Sequence, residues 1–139
     1  LYLCQYNPVG KLYIKRGDMA RNGRLITNEG ALCAALNHEH IYSCAMSSAK
    51  PLLQQQLFSS ASLVIAPHGS SLTNLLYMPP GGLVIELCAS NYMPDHDMML
   101  GKCLGIRVIM LDTYSSSSDS YGNFSVNLPQ FLSDLSASL

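Results

Sequence analysis

The sequence predicts an α/β fold in which a parallel sheet carries helices on both faces. Strand-like apolar runs and helix-period segments alternate five times along the chain. Runs such as Leu63 to Ala66 are too uniformly apolar for a sheet with one solvated face. With 139 residues, 48% of them hydrophobic, the chain can build one substantial core, so residues 1–139 are read as a single domain.

The order of elements follows from breakers and periodicity. Residues 1–6 form a short apolar strand candidate closed by the turn Asn7-Pro8-Val9-Gly10. Lys11 to Arg16 alternates and is β-rich, ending where Gly17 and Asp18 interrupt it. A basic loop with Arg21 and Arg24 follows, and Asn28 opens a helix to about Asn37, with Leu32 and Leu36 facing inward. Residues 40–45 read as the next strand. Pro51 suits the first turn of a helix over 52–59, whose Gln54, Gln55 and Gln56 read as a solvated face.

The central segment is strand 62–67, loop 68–71, short helix 72–77, a break at Met78-Pro79-Pro80-Gly81-Gly82, and strand 83–87. Beyond it lie a polar loop over 91–97, a short helix over 98–104 and a strand over 107–111. A Ser-rich loop over 114–122 and a closing amphipathic helix over 128–139 complete the chain.

Composition excludes several function classes. Only 12% of residues are charged and the formal net charge is −1, so no global field draws nucleic acid or an anionic membrane. No run reaches the ~18 apolar residues of a membrane span, and residues 1–4 lack a signal-peptide layout. The absence of an initiator Met suggests a chain that begins inside a longer protein. The five cysteines show no C-x-x-C spacing and read as buried free thiols. Asn123-Phe124-Ser125 is a sequon, of little weight as a three-residue match.

In an open α/β sheet, ligands bind beyond the C-terminal ends of the strands. Three polar features fall there: Arg16 with Arg21 and Arg24, the loop His68-Gly69-Ser70-Ser71, and Glu86. Loop N–H groups, hydroxyls and arginines all suit phosphate oxygens, so a diphosphate-bearing nucleotide is the natural occupant. Each feature also has a plainer reading. His68 would be a turn residue, the arginines a surface loop, and Glu86 a helix cap or a partner of Arg107. No Gly-x-Ser-x-Gly, P-loop or Gly-x-Gly-x-x-Gly pattern is present. No metal site is assigned, because His96, between Asp95 and Asp97, has no second His at ligand spacing.

Taken together, several segments resemble the catalytic domain of glycosyltransferase family 61. They are Tyr13-Ile14-Lys15-Arg16 with Arg21 and Arg24 to Glu29, Gln54 to Ala61, and Val84-Ile85-Glu86-Leu87. The specific one is His68-Gly69-Ser70-Ser71-Leu72-Thr73-Asn74 followed by Tyr77-Met78-Pro79-Pro80-Gly81. The resemblance implies a Rossmann-like domain, the C-terminal, donor-binding half of a two-domain GT-B enzyme, whose partner is an N-terminal Rossmann-like domain.

The implied reaction is inverting transfer of a xylose or N-acetylglucosamine-class sugar from a nucleotide donor, commonly UDP-linked, to a glycan or protein hydroxyl. Transfer is expected to need neither a metal nor another cofactor. By the resemblance, Arg16 with Arg21 or Arg24 neutralises the diphosphate and the helix near Ser70 donates N–H groups. Gln54, His68, Gly69, Ser71, Thr73, Asn74 and Glu86 complete the candidate donor site, and the catalytic base is unassigned. The family usually has Ala-Gly where this chain has Ser70-Ser71, and Leu53 replaces an acidic residue before Gln54. The Ser70-Ser71 change and the missing partner domain motivate a second reading, a catalytically inactive nucleotide-binding or structural module of the same fold. The resemblance implies the secretory lumen for a eukaryotic protein and the cytoplasm for a bacterial one.

Overall fold

A computed structural model describes residues 10–16, 25–113 and 123–139. The expected opening strand, the loop holding Arg21 and Arg24, and the Ser-rich loop lie outside them.

Among the described residues five strands form one sheet: β1 Gly10–Lys15, β2 Tyr42–Ala45, β3 Ala61–Pro67, β4 Leu83–Cys88 and β5 Arg107–Asp112. Their order is β2-β1-β3-β4-β5, and every pairing is parallel. The helices are α1 Glu29–His38, α2 Pro51–Ser59, α3 His96–Leu104 and α4 Leu128–Ser138. Parallel neighbours require crossovers; α1, α2 and α3 supply three, and a 3-10 helix over Ser70–Tyr77 supplies the one from β3 to β4.

Strand alternation produces two cores. Tyr13, Leu63, Ile65, Ile85 and Leu87 pack with Leu32 and Leu36 of α1 and Phe131 and Leu135 of α4. Leu12, Ile14, Val64, Ala66 and Val84 pack on the opposite face with Phe58 of α2 and with Leu72 and Leu75. Burial on both faces explains why the strands are continuously apolar rather than alternating.

Several local expectations change. The segment after β3 is a 3-10 helix over Ser70–Tyr77, two residues earlier than the expected short helix. Asn74 Nδ2 donates to the Ser71 carbonyl three residues back, a local bond suited to the tighter turn. Asn28 stands at the N-cap of α1 without capping it. Its amide instead donates to Val126 O at 2.8 Å and accepts from Val126 N at 2.9 Å. Asn123 Oδ1, in the sequon, accepts from Leu25 N. These bonds fasten the approach to α4 onto the approach to α1.

Gly101 lets α3 lie against β5: a Cβ there would stand 2.4 Å from Val108 Cγ2 and 2.9 Å from Ile106 O. No helix among the described residues is long and apolar enough to cross a membrane.

Candidate functional site

The strand order changes direction between β1 and β3, since the chain leaves β1 toward β2 and then crosses back. A crevice opens at such a switch point, outside the carboxyl ends of the strands. Register decides what stands there. Leu12 pairs with Val64 and Tyr13 with Ile65, so continuing the ladder places Arg16 beside His68. Ala66 pairs with Glu86, and His68 N–H donates to Leu87 O one step beyond the paired residues.

Period-two alternation then puts Arg16, His68 and Glu86 on one face, the face covered by α2 and α3. The Arg16 guanidinium donates from Nη1 to the His68 carbonyl at 2.6 Å. Gly69 is extended, and its lack of a side chain matters through packing: a Cβ would come within 2.9 Å of Arg16 Nη1.

A pocket of about 270 Å³ opens above this edge, lined by His68, Gly69, Ser70, Thr73, His96 and Asp97. Four of the six are residues the sequence singled out. The N–H groups of Ser70 and Ser71 lead the 3-10 helix, where helix geometry leaves such donors without intrahelical partners.

Beneath the pocket lies a cluster of three titratable side chains. His68 Nδ1 is in direct hydrogen-bond contact with Glu86 Oε1 and stands 3.4 Å from Asp97 Oδ2. Glu86 is fully buried, and its Oε2 has no hydrogen-bond donor among the described residues. Burial above all, then the neighbouring Asp97 charge and a hydrogen bond with it, push the Glu86 carboxyl up to about 8. Tyr92 meets the imidazole edge-on at 5.6 Å between ring centres, and His96 lies tilted at 5.4 Å. Together these neighbours fix the ring from three sides.

The expected pairing of Glu86 with Arg107 does not occur. Arg107 pairs with Leu83 at the entry of β5 and is exposed, whereas Glu86 faces Met110 three steps along. The helix-cap reading of Glu86 fails too, because its oxygen meets an imidazole.

Gln54 corrects the solvated-face reading of the glutamine triplet. Its amide donates to Met46 O and Ala49 O, and its Oε1 accepts from Asn74 Nδ2 at 3.0 Å. Gln54 and Asn74 therefore join α2 to the 3-10 helix and are not among the pocket-lining residues. Ser71 likewise lies behind the rim, its carbonyl taken by Asn74. Arg21 and Arg24 fall outside the described residues.

His96, Asp97 and Tyr92 were missed as site residues because the segment after β4 was weighed only for metal spacing. Its position at the C-terminal end of a strand was the signal available. Metal-independent transfer was expected partly on the ground that no Asp-x-Asp tripeptide occurs, and that ground is wrong, since Asp95-His96-Asp97 is one. The two carboxylates do not converge: Asp95 is exposed at the N-cap of α3, and Asp97 alone joins the cluster.

The polar atoms of His68, Glu86 and Asp97 lie within 4.8 Å of one another. Two carboxyls and an imidazole thus form one close cluster beneath the pocket.

Four cysteines are described, all free as expected: Cys88 is buried, Cys33 and Cys44 are half-buried, and Cys103 is exposed, so burial holds fully for Cys88 alone among them.

Comparison with known proteins gives a consistent result. The family model described as Glycosyltransferase 61 matches residues 2–85. Protein O-linked-mannose beta-1,4-N-acetylglucosaminyltransferase 2 of Canis lupus familiaris is 34% identical over 96 residues, 64% of this chain. The protein of the same name from Homo sapiens is 33% identical over the same length. That from Takifugu rubripes is 33% identical over 75 residues, 52% of this chain. The matched stretch is a small part of these relatives, 16% of the dog and human proteins and 13% of the fish protein.

Proposed function

We propose, since the chain belongs to the glycosyltransferase 61 family, that it is the donor-binding domain of an inverting glycosyltransferase using a UDP-linked sugar. The observation that carries this reading is the convergence of Arg16, the His68-Gly69-Ser70 turn and a helix start at the switch point of the sheet. Arginine and helix-leading N–H groups are the complement of a diphosphate. Among donor sugars N-acetylglucosamine is favoured over xylose by the names of the relatives, which also point to a glycoprotein acceptor.

In the proposed reaction an acceptor hydroxyl oxygen attacks the anomeric carbon from the face opposite the nucleotide. The bond from that carbon to the β-phosphate oxygen breaks, and its electron pair leaves with the diphosphate. Charge develops on that oxygen, and Arg16 with the N–H groups of Ser70 and Ser71 would stabilise it without a metal. A base must take the acceptor proton. In this reading it is supplied from outside the chain, by an N-terminal Rossmann-like domain that closes the cleft of a GT-B architecture. The secretory lumen is the compartment this reading implies for a eukaryotic member.

Titration calorimetry of the full-length protein with UDP tests the assignment. Binding that weakens at least tenfold, about 1.4 kcal/mol, on Arg16→Ala supports it. No binding by the wild type, or undiminished binding by the variant, contradicts it.

A further inference from the structure

The mechanism just described uses His68 only as part of a turn, yet the side chain with the most constrained surroundings in the site lies beneath it. Glu86 is fully buried, contacts His68 Nδ1 through Oε1, and leaves Oε2 without a donor among the described residues. An ionised carboxylate in that position would bury a negative charge with one oxygen unsolvated, an expensive arrangement. Asp97 is adjacent and also acidic, so full ionisation of both would add repulsion at short range. A single proton between the two carboxyls removes both costs: Oε2 of Glu86 gains a hydrogen to give or receive, and the pair carries one charge.

We propose that Glu86 and Asp97 share one proton and act together as positioning residues for His68, presenting one negative charge rather than two beneath the anion pocket. Oε1 of Glu86 accepts the hydrogen of His68 Nδ1, which fixes the imidazole plane and leaves Nε2 as the nitrogen that serves the pocket. The titratable and charged groups around the Glu86–Asp97 pair are His68, with Arg16 on its backbone carbonyl, Cys88 on β4, and Tyr92 and His96 against the imidazole. Within this cluster, the carboxyl pair is the one whose second charge would oppose a bound diphosphate. The raised proton affinity of Glu86, near 8, agrees with this arrangement.

This inference rests on the donor-site reading for its consequence, but not for its direct test. Infrared difference spectra of the full-length protein, recorded without nucleotide as the pH rises from about 7 to about 9, report a carboxyl that is still protonated when ordinary carboxylates are ionised. A protonated-carboxyl band lost over that interval, and absent from Glu86→Gln, is expected. Its absence from the wild type overturns the proposal, whatever the protein binds.

The functional arm is UDP-N-acetylglucosamine affinity over the same interval. That ligand lacks the terminal phosphate ionisation near pH 6 that would complicate UDP itself. Wild-type affinity is expected to fall by about tenfold as the second charge appears. The fall should disappear in Glu86→Gln, which leaves Asp97 as the single carboxyl, and should shrink in Asp97→Asn, where only burial still raises Glu86. A fall that persists in Glu86→Gln, or that does not shrink in Asp97→Asn, overturns the proposal. Asp97 is partly exposed, so its variant keeps the test decisive if Glu86→Gln does not fold. A carboxyl band without any nucleotide binding supports the shared proton and overturns the proposed function instead.

Discussion

Arg16 and His68 are 52 residues apart in sequence, and the guanidinium of one donates to the backbone carbonyl of the other at 2.6 Å. The bond spans β1 and β3, the two strands between which the sheet reverses its order. It aligns a cation with the turn that leads the 3-10 helix, so the positive groups of the site are positioned by the ladder register rather than by loop contacts alone.

Gly69→Ala should weaken nucleotide binding more than it weakens the fold. The new Cβ would stand 2.9 Å from Arg16 Nη1, the mobile end of a long side chain, so the guanidinium moves while the backbone stays extended. We expect an affinity loss of about tenfold by calorimetry, with a melting-temperature change of only a few degrees. A loss of fold without a specific loss of binding would contradict this.

Asn74→Ala should loosen the link between α2 and the 3-10 helix. It removes the bonds to Gln54 Oε1 and Ser71 O, and neutral hydrogen bonds contribute about 1 kcal/mol each. Urea unfolding should show a loss of roughly 1–2 kcal/mol. Adding Gln54→Ala should cost less than the sum of the two single changes, since the residues share one bond.

The pH dependence of stability should carry the signature of Glu86. Its carboxyl has an ordinary value of 4.5 and is raised to about 8 in the folded protein. Between those values the folded state holds a proton that the unfolded state has released, so this group's contribution to stability decreases as pH rises through the window. Urea midpoints at about pH 6 and about pH 8 should therefore differ more in the wild type than in Glu86→Gln.

Thiol reactivity should separate Cys103 from Cys88. Burial, followed by the charges of Glu86, Asp97 and Asp112, pushes the Cys88 thiol up to about 12, and the side chain is 1% exposed. Cys103 is exposed on α3. Alkylation of the native protein followed by peptide mapping should modify Cys103 readily and Cys88 only after unfolding.

Much of the fold was legible because both faces of the sheet are buried: continuous runs such as Leu63 to Ala66 admit little but a parallel α/β arrangement. Arg16, His68 and Glu86 were found by their places at the ends of strands. Their common face follows from alternation once the register is known, and register is a long-range property that one sequence does not state. Gln54 was misread because its neighbours Gln55 and Gln56 are exposed, and only the returning helix start shows that it meets Asn74. Asp97 was missed because it lies on α3 while its partner Glu86 lies on β4. Its role depends on the docking of α3 through Gly101, a contact without a local sequence signal.

The most direct measurement is the structure of the full-length protein bound to UDP or a UDP-linked sugar. The account predicts the diphosphate in the pocket above His68, against Arg16 and the N–H groups of Ser70 and Ser71, with Glu86 and Asp97 retained beneath the imidazole. A nucleotide seated elsewhere, with the crevice between β1 and β3 empty, would contradict it.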